Sequence, residues 1–131
     1  MERKQLIQYW TDTAEQDFNT MIHLFNAKDY HWALFIGHLV LEKLLKALYV
    51  SRIDENIPKI HDLLRLAEKS KIELTEIQKD NLDTVTTFNI SARYPDYKQT
   101  FYRKCTLEFT KQNIEKIKEI RLWILYLLKN E

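Results

Sequence analysis

Apolar residues in this chain recur every three or four positions, not in alternation. Leu6, Ile7, Trp10, Ala14, Phe18, Met21, Ile22 and Phe25 fall on one stripe, which predicts a helix over about residues 3–27. At 1.5 Å per residue it would be about 37 Å long. Residues 26–29 read as a short connection, with Asp29 as the N-cap of a second helix reaching towards Arg52. That second helix is apolar round most of its circumference, through Ala33, Leu34, Phe35, Ile36, Leu39, Val40, Leu41, Leu44, Leu45, Ala47 and Leu48. Such a pattern predicts a central helix covered on more than one side.

Pro58 breaks the pattern, because proline lacks an amide hydrogen and biases Ile57 away from helix. A short helix is predicted over about residues 62–70, with Leu63, Leu64, Leu66 and Ala67 inward. Thr75 and Gln78 have capping-box spacing and open a fourth helix, with Ile77, Leu82, Val85 and Phe88 as its expected buried face and its end near residues 89–91. Pro95 restrains Tyr94, so residues 92–97 cannot be regular helix throughout. Asp96 with Gln99 is a further capping pattern, and one last long helix is expected over about residues 98–128.

Composition sharpens the fold class. One glycine and two prolines in 131 residues are too few turn formers for a β-rich domain of this size. The expectation is an all-α, up-and-down bundle of four to five helices, forming a single domain over residues 1–131. No internal repeat or Gly/Ser linker suggests a boundary. A net charge of +1 excludes a global field that would hold nucleic acid or an anionic membrane, so any nucleotide site must be local. The lone Cys105 rules out an internal disulfide and reads as a small core residue. No apolar run approaches the roughly 20 residues needed to span a bilayer, and the start of the chain has no signal core. A cytoplasmic protein without membrane attachment is expected. Residues 122–128 are apolar on every face, more than one bundle needs to bury, which predicts a helix-mediated homodimer.

Chemistry enters where charge is set into greasy helix. Glu42, Lys43 and Lys46 form either a charged site in which a lysine meets a phosphate, or a packing network in which Glu42 and Lys46 pair across one turn. His31, His38 and Glu42 share a stripe, but His31 and Glu42 stand about 16 Å apart along the axis, so one ion cannot touch both. Only two ligands remain, which do not make a metal site, and a His38–Glu42 hydrogen bond is the expectation. His61 precedes Asp62 at a helix start, where Asp62 suits the positive end of the dipole; alternatively Asp62 orients His61 as a general base. Arg93, Tyr94 and Asp96 flank Pro95 in a stiffened turn. Either the guanidinium holds a phosphate while Tyr94 stacks a base, or Arg93 hydrogen-bonds carbonyls at the end of the preceding helix. Trp10, Trp32 and Trp123 read as core or interface.

An ordered set of these residues resembles the HEPN (higher eukaryotes and prokaryotes nucleotide-binding) domains. It comprises Trp10, Ala14, Asp17 and Phe18; Tyr30 and Ala33; Glu42, Lys43, Lys46, Ala47 and Leu48; His61, Asp62 and Leu63; and Ala92, Arg93, Tyr94 and Pro95. The resemblance implies a small all-α bundle, commonly dimeric, similar to the helical domain of aminoglycoside nucleotidyltransferases. Such domains are often encoded beside a minimal nucleotidyltransferase as a toxin–antitoxin pair. Catalytic members carry arginine, four to six residues, then histidine, in which histidine would activate the ribose 2′-hydroxyl and arginine would steady the phosphate. With Arg93 as the arginine, the histidine should stand at 98, 99 or 100, but the chain has Lys98, Gln99 and Thr100. Members silenced by nucleotide transfer use a tyrosine two positions beyond that histidine, and only Tyr102 falls in that range.

The functional expectation is therefore a domain without the ribonuclease motif that binds a nucleotide or RNA through Arg93, Tyr94 and Asp96, supported by Glu42, Lys43, Lys46 and His61. A nucleotidyltransferase partner is implied by the resemblance, and no metal or cofactor is expected. The alternatives are a non-catalytic dimeric interaction module and a ribonuclease with a displaced base such as His61.

Overall fold

A computed structural model describes residues 2–130, which form six helices: α1 (Arg3–Asn26), α2 (Tyr30–Arg52), α3 (Leu63–Lys69), α4 (Glu76–Ser91), α5 (Pro95–Lys104) and α6 (Leu107–Lys129). The all-α class and the bundle architecture are as the apolar periodicity predicts. α2 is the axis of the molecule and packs against all five other helices. Leu34, Leu41, Leu44, Leu45 and Leu48 are sealed from solvent on different sides of it, which is why its apolar residues run round the circumference.

α1 and α2 form an antiparallel hairpin. α1 ends in a Schellman motif, in which Asp29 N–H reaches Leu24 O at 2.9 Å and Lys28 N–H reaches Phe25 O at 3.0 Å. The left-handed position falls on Lys28, at φ 65°, where glycine would be conformationally cheaper. Asp29 occupies the N-cap of α2 without a side-chain cap bond. α2 also carries the only glycine. A Cβ built at Gly37 would lie 2.5 Å from Ile117 Cδ1 and 3.1 Å from Met21 Sδ, so its missing side chain sets how closely α1 and α6 approach α2.

After α2 the extended segment around Pro58 returns along the bundle. Asp62 caps α3 by accepting Arg65 N–H at 3.1 Å, and Leu63 N–H donates to Thr86 Oγ1 at 3.0 Å, tying the start of α3 to α4. Thr75 and Gln78 make the expected reciprocal capping box. Ile77 departs from expectation: it is 73 % exposed, because it sits five residues before Leu82 and so about 140° round the helix from it.

The last third of the chain differs most. The long helix expected over residues 98–128 is two helices, broken at Cys105 and Thr106, with Thr106 Oγ1 accepting Phe109 N–H to start α6. The bend lets Phe101 of α5 and Phe109 of α6 both pack on Phe88, at ring separations of 5.5 and 6.4 Å. The Asp96/Gln99 cap does not form either. Tyr94 is the N-cap and Pro95 opens α5 at N1, where its missing N–H and fixed φ are no handicap.

Candidate functional site

The charged residues of α2 separate into two pairings. Lys43 turns to α1, where its Nζ lies 2.6 Å from Asp17 Oδ2. Glu42, only 4 % exposed, is the hub of the other group: Lys46 Nζ stands 3.2 Å from its Oε2, and His61 Nδ1 lies 2.7 Å from its Oε1. Lys46 is also held 4.9 Å from the centre of the Trp10 ring. A carboxylate this buried requires such partners, since desolvation would otherwise make it strongly unfavourable.

The expected His38–Glu42 hydrogen bond is absent. Their nearest atoms are 3.8 Å apart, beyond hydrogen-bond range, and His38 Nε2 instead reaches the backbone carbonyl of His61 at 3.0 Å. That contact assigns the proton to Nε2, because a carbonyl can only accept. Burial above all, reinforced by His61 and Arg93, holds His38 below the ordinary histidine range against the opposing pull of its carbonyl hydrogen bond and Glu42, so the ring is neutral. His38 thus fixes the backbone at residue 61, and Glu42 fixes the ring of that residue. Asp62, spent on capping α3, does not orient His61. With Nδ1–H donated to Glu42, His61 presents its acceptor Nε2 from a side chain that is 66 % exposed.

Arg93 closes one end of the same region. Its Nε donates to Asn89 O at 2.9 Å and its Nη2 to Asn89 Oδ1 at 3.0 Å, while the guanidinium lies 5.4 Å from the Phe35 ring centre and 5.5 Å from that of Tyr94. Of the two sequence alternatives for the turn, hydrogen bonding to the end of the preceding helix is the one this geometry contains. The arginine does secure the end of α4, and it does so in a fixed plane beside two aromatic rings with Nη1 left over for an outside group. Asn89 is a partner that the sequence reading misses, although its i,i+4 spacing from Arg93 is a legible signal. Tyr94 and Asp96 are exposed, Asp96 in the first turn of α5. Lys98 adds a third cation–ring contact, 4.9 Å from the centre of the Trp32 ring.

Trp32, Phe35, Glu42 and Lys46 all fall on one side of α2, and Trp32 to Lys46 spans about 21 Å along the axis. The outcome is an edge on which Lys98 of α5, Arg93 of the α4–α5 turn and Lys46 of α2 each sit beside an aromatic ring, with His61 among them. Among the described residues no three or more of histidine, cysteine, aspartate and glutamate converge as a metal-binding group, and no helix is long and apolar enough to cross a membrane. Cys105 is buried, and burial raises its thiol to about 11, so it is protonated and unreactive near neutrality.

A crystal structure described as TT1696 from Thermus thermophilus shares the fold, with a TM-score of 0.80 and 19 % identity over 92 % of this chain and 96 % of that one. No curated protein sequence matches significantly. The family model for the HEPN domain matches residues 7–128. With nearly its whole length inside that model, and with the helical bundle the model implies, this chain belongs to the HEPN domain family.

Proposed function

We propose that this protein binds a nucleotide or single-stranded RNA along the edge of α2, with Arg93 as the principal phosphate contact and Tyr94 as a stacking surface. The observation that carries this reading is the fixed guanidinium of Arg93, anchored twice on Asn89 and set against Phe35 and Tyr94. Cations interleaved with aromatic rings suit a single strand, whose phosphates need charge and whose unstacked bases need a flat apolar face. A nucleotide- or RNA-related role is the family-level expectation for a HEPN domain. Lys46 and Lys43 contribute less, because Glu42 and Asp17 already neutralise them.

Titration of a short single-stranded RNA tests the reading. Arg93→Glu should weaken binding at least about tenfold, the scale of one lost charge-assisted contact, while the helical circular dichroism stays unchanged. Undiminished binding in that variant would remove the site. A second reading is favoured by the Glu42–His61 geometry, in which a buried carboxylate orients an exposed imidazole with Nε2 free to accept a proton. His61 would then be the displaced base of a ribonuclease. Cleavage products in the same titration, lost in His61→Ala, would establish it; intact RNA after long incubation leaves a binding protein.

We extend the proposal to a nucleotidyltransferase partner in a toxin–antitoxin type system, on the ground of family membership. Homodimerisation belongs to it as well, because Leu122 and Tyr126 project from the outer side of α6 into solvent beside half-buried Trp123 and Leu127. Light scattering should give twice the chain mass, reverting to the monomer mass in Leu122→Asp; a monomeric wild type would refute the dimer. The pure interaction module is the outcome in which the protein assembles but no RNA or nucleotide binds.

A further inference from the structure

α5 is held differently from the other five helices. Its ten residues bury only Phe101, and its hydrogen bonds run to Tyr94, within itself or to the junction at Cys105 and Thr106. Among the described residues no ion pair joins it to another helix. What seats it is a set of ring contacts: Phe101 on Phe88 at 5.5 Å, Tyr102 edge-on to His31 at 5.2 Å, Lys98 over Trp32 at 4.9 Å and Lys104 over Phe109 at 5.2 Å. Its neighbours are finished without it. Arg93 closes the end of α4 on Asn89, and Thr106 caps α6 through Phe109 N–H, so both helices keep their terminal bonds when α5 leaves. Phe109 continues to cover Phe88. A helix of ten residues is too short to persist alone in water, so α5 is helical only while it is seated.

His31 lies beneath this seat. Its side chain is 8 % exposed, and its Nδ1 is sealed from solvent without a hydrogen-bond partner. The charged and titratable groups that face it are Lys28 and Asp29 of the α1–α2 turn, Lys98, Tyr102 and Arg103 of α5, and Cys105 at the junction. Burial above all, with Lys98 adding to it against Asp29, holds the ring below the ordinary histidine range, so it is neutral under α5. Opening removes both causes, because the ring gains water and Lys98 departs with its helix. The open state therefore takes up a proton that the closed state refuses. With the closed-state pKa lowered, seating has its full strength above about pH 6.5 and weakens as the pH falls below that value.

We propose that α5 is an acid-released latch, which swings away as one unit between hinges at Tyr94–Pro95 and Cys105–Thr106 when His31 takes up a proton. Opening bares the face of Phe88 that Phe101 covers, and with it the buried thiol of Cys105. It also lifts Lys98 from Trp32 and so dismantles one end of the α2 edge. That last consequence rests on the reading of the edge as a binding site; the opening itself does not.

The lone thiol reports the opening. The rate at which dithiodipyridine reacts with Cys105 in the full chain, divided by its rate with glutathione at the same pH, gives the open fraction. At neutral pH the protection of Cys105 should be at least about a hundredfold weaker than global stability, measured by denaturant titration, would allow. Phe101→Ala should weaken it about tenfold or more. Val50→Ala removes a core contact about 28 Å along α2 from His31, so it should lower global stability and leave the protection of Cys105 unchanged. Between about pH 7.5 and about pH 5.5 the open fraction should rise several-fold, with about tenfold as the limit for one histidine. It should stay level in His31→Phe, which keeps a ring against Tyr102. Hydrogen exchange on the wild type needs no variant: the amides of residues 98–104 should exchange together and ahead of those of α2. Protection of Cys105 that falls with global stability in Val50→Ala would overturn the latch, as would α5 amides that exchange as slowly as those of α2. A flat pH profile in the wild type, or an undiminished slope in His31→Phe, would overturn its release by acid.

Discussion

Glu42→Ala is expected to lower the stability of the protein by about 2–3 kcal/mol, a large share of the 5–15 kcal/mol typical of a domain. The carboxylate is buried, and its removal deprives Lys46 and His61 of their shared acceptor at once. Breaking a fully buried pair costs about 3–5 kcal/mol because the survivor is stranded without water. Here His61 is mostly exposed and Lys46 partly so, and both recover hydration, which places the loss below that range. Glu42→Gln separates the contributions: the amide oxygen can still accept from His61 Nδ1–H, but the charge facing Lys46 is gone, so about half the loss should remain. Denaturant titration measures all three proteins. A Glu42→Ala variant within about 0.5 kcal/mol of wild type would mean that the network carries no net stability and that its place in the fold answers to His61 alone.

Gly37→Val is expected to destabilise by about 3 kcal/mol or more, through a collision rather than a lost contact. The first atom added at residue 37 already meets Ile117 Cδ1 at 2.5 Å and Met21 Sδ at 3.1 Å, and both of those residues are fully buried. Valine adds two further methyl groups where three helices converge. Alanine should do much less harm, because its overpacking of about 1–3 kcal/mol is offset by about 1 kcal/mol of improved helix propensity. The collision involves one identifiable atom, so a second substitution can relieve it. Ile117→Val deletes Cδ1, and Gly37→Ala combined with Ile117→Val should show a favourable coupling of about 1 kcal/mol in a double-mutant cycle. Strict additivity would show that the helices shift apart instead.

Much of the fold is legible in the sequence because local chemistry and apolar period agree. α1, α2 and α4 begin and end within a few residues of where period, caps and Pro58 place them, and the Thr75/Gln78 capping box forms as its spacing implies. The break at Cys105 and Thr106 is not legible in the same way. No glycine or proline marks it, and Phe101, Cys105, Phe109 and Asn113 continue the four-residue rhythm straight through it. Only Thr106, an N-cap type followed by Glu108 in the first turn, signals a new start. What makes the break favourable is Phe88, a residue of another helix, on which both sides of the bend pack.

The candidate site divides in the same way. The Glu42–Lys46 pair follows from i,i+4 spacing within α2, and the Arg93–Asn89 grip spans the same short interval across the end of α4, so both are local to the chain. Sequence adjacency pairs His61 with Asp62, but the return of the chain after Pro58 carries the His61 ring to Glu42 and leaves Asp62 to cap α3. The sequence by itself determined an all-α chain with a buried central helix and named the charged residues on it. The tertiary structure alone decided which of them meet: helical spacing is a property of a few neighbouring residues, whereas contacts across nineteen residues or between helices depend on how the whole core packs.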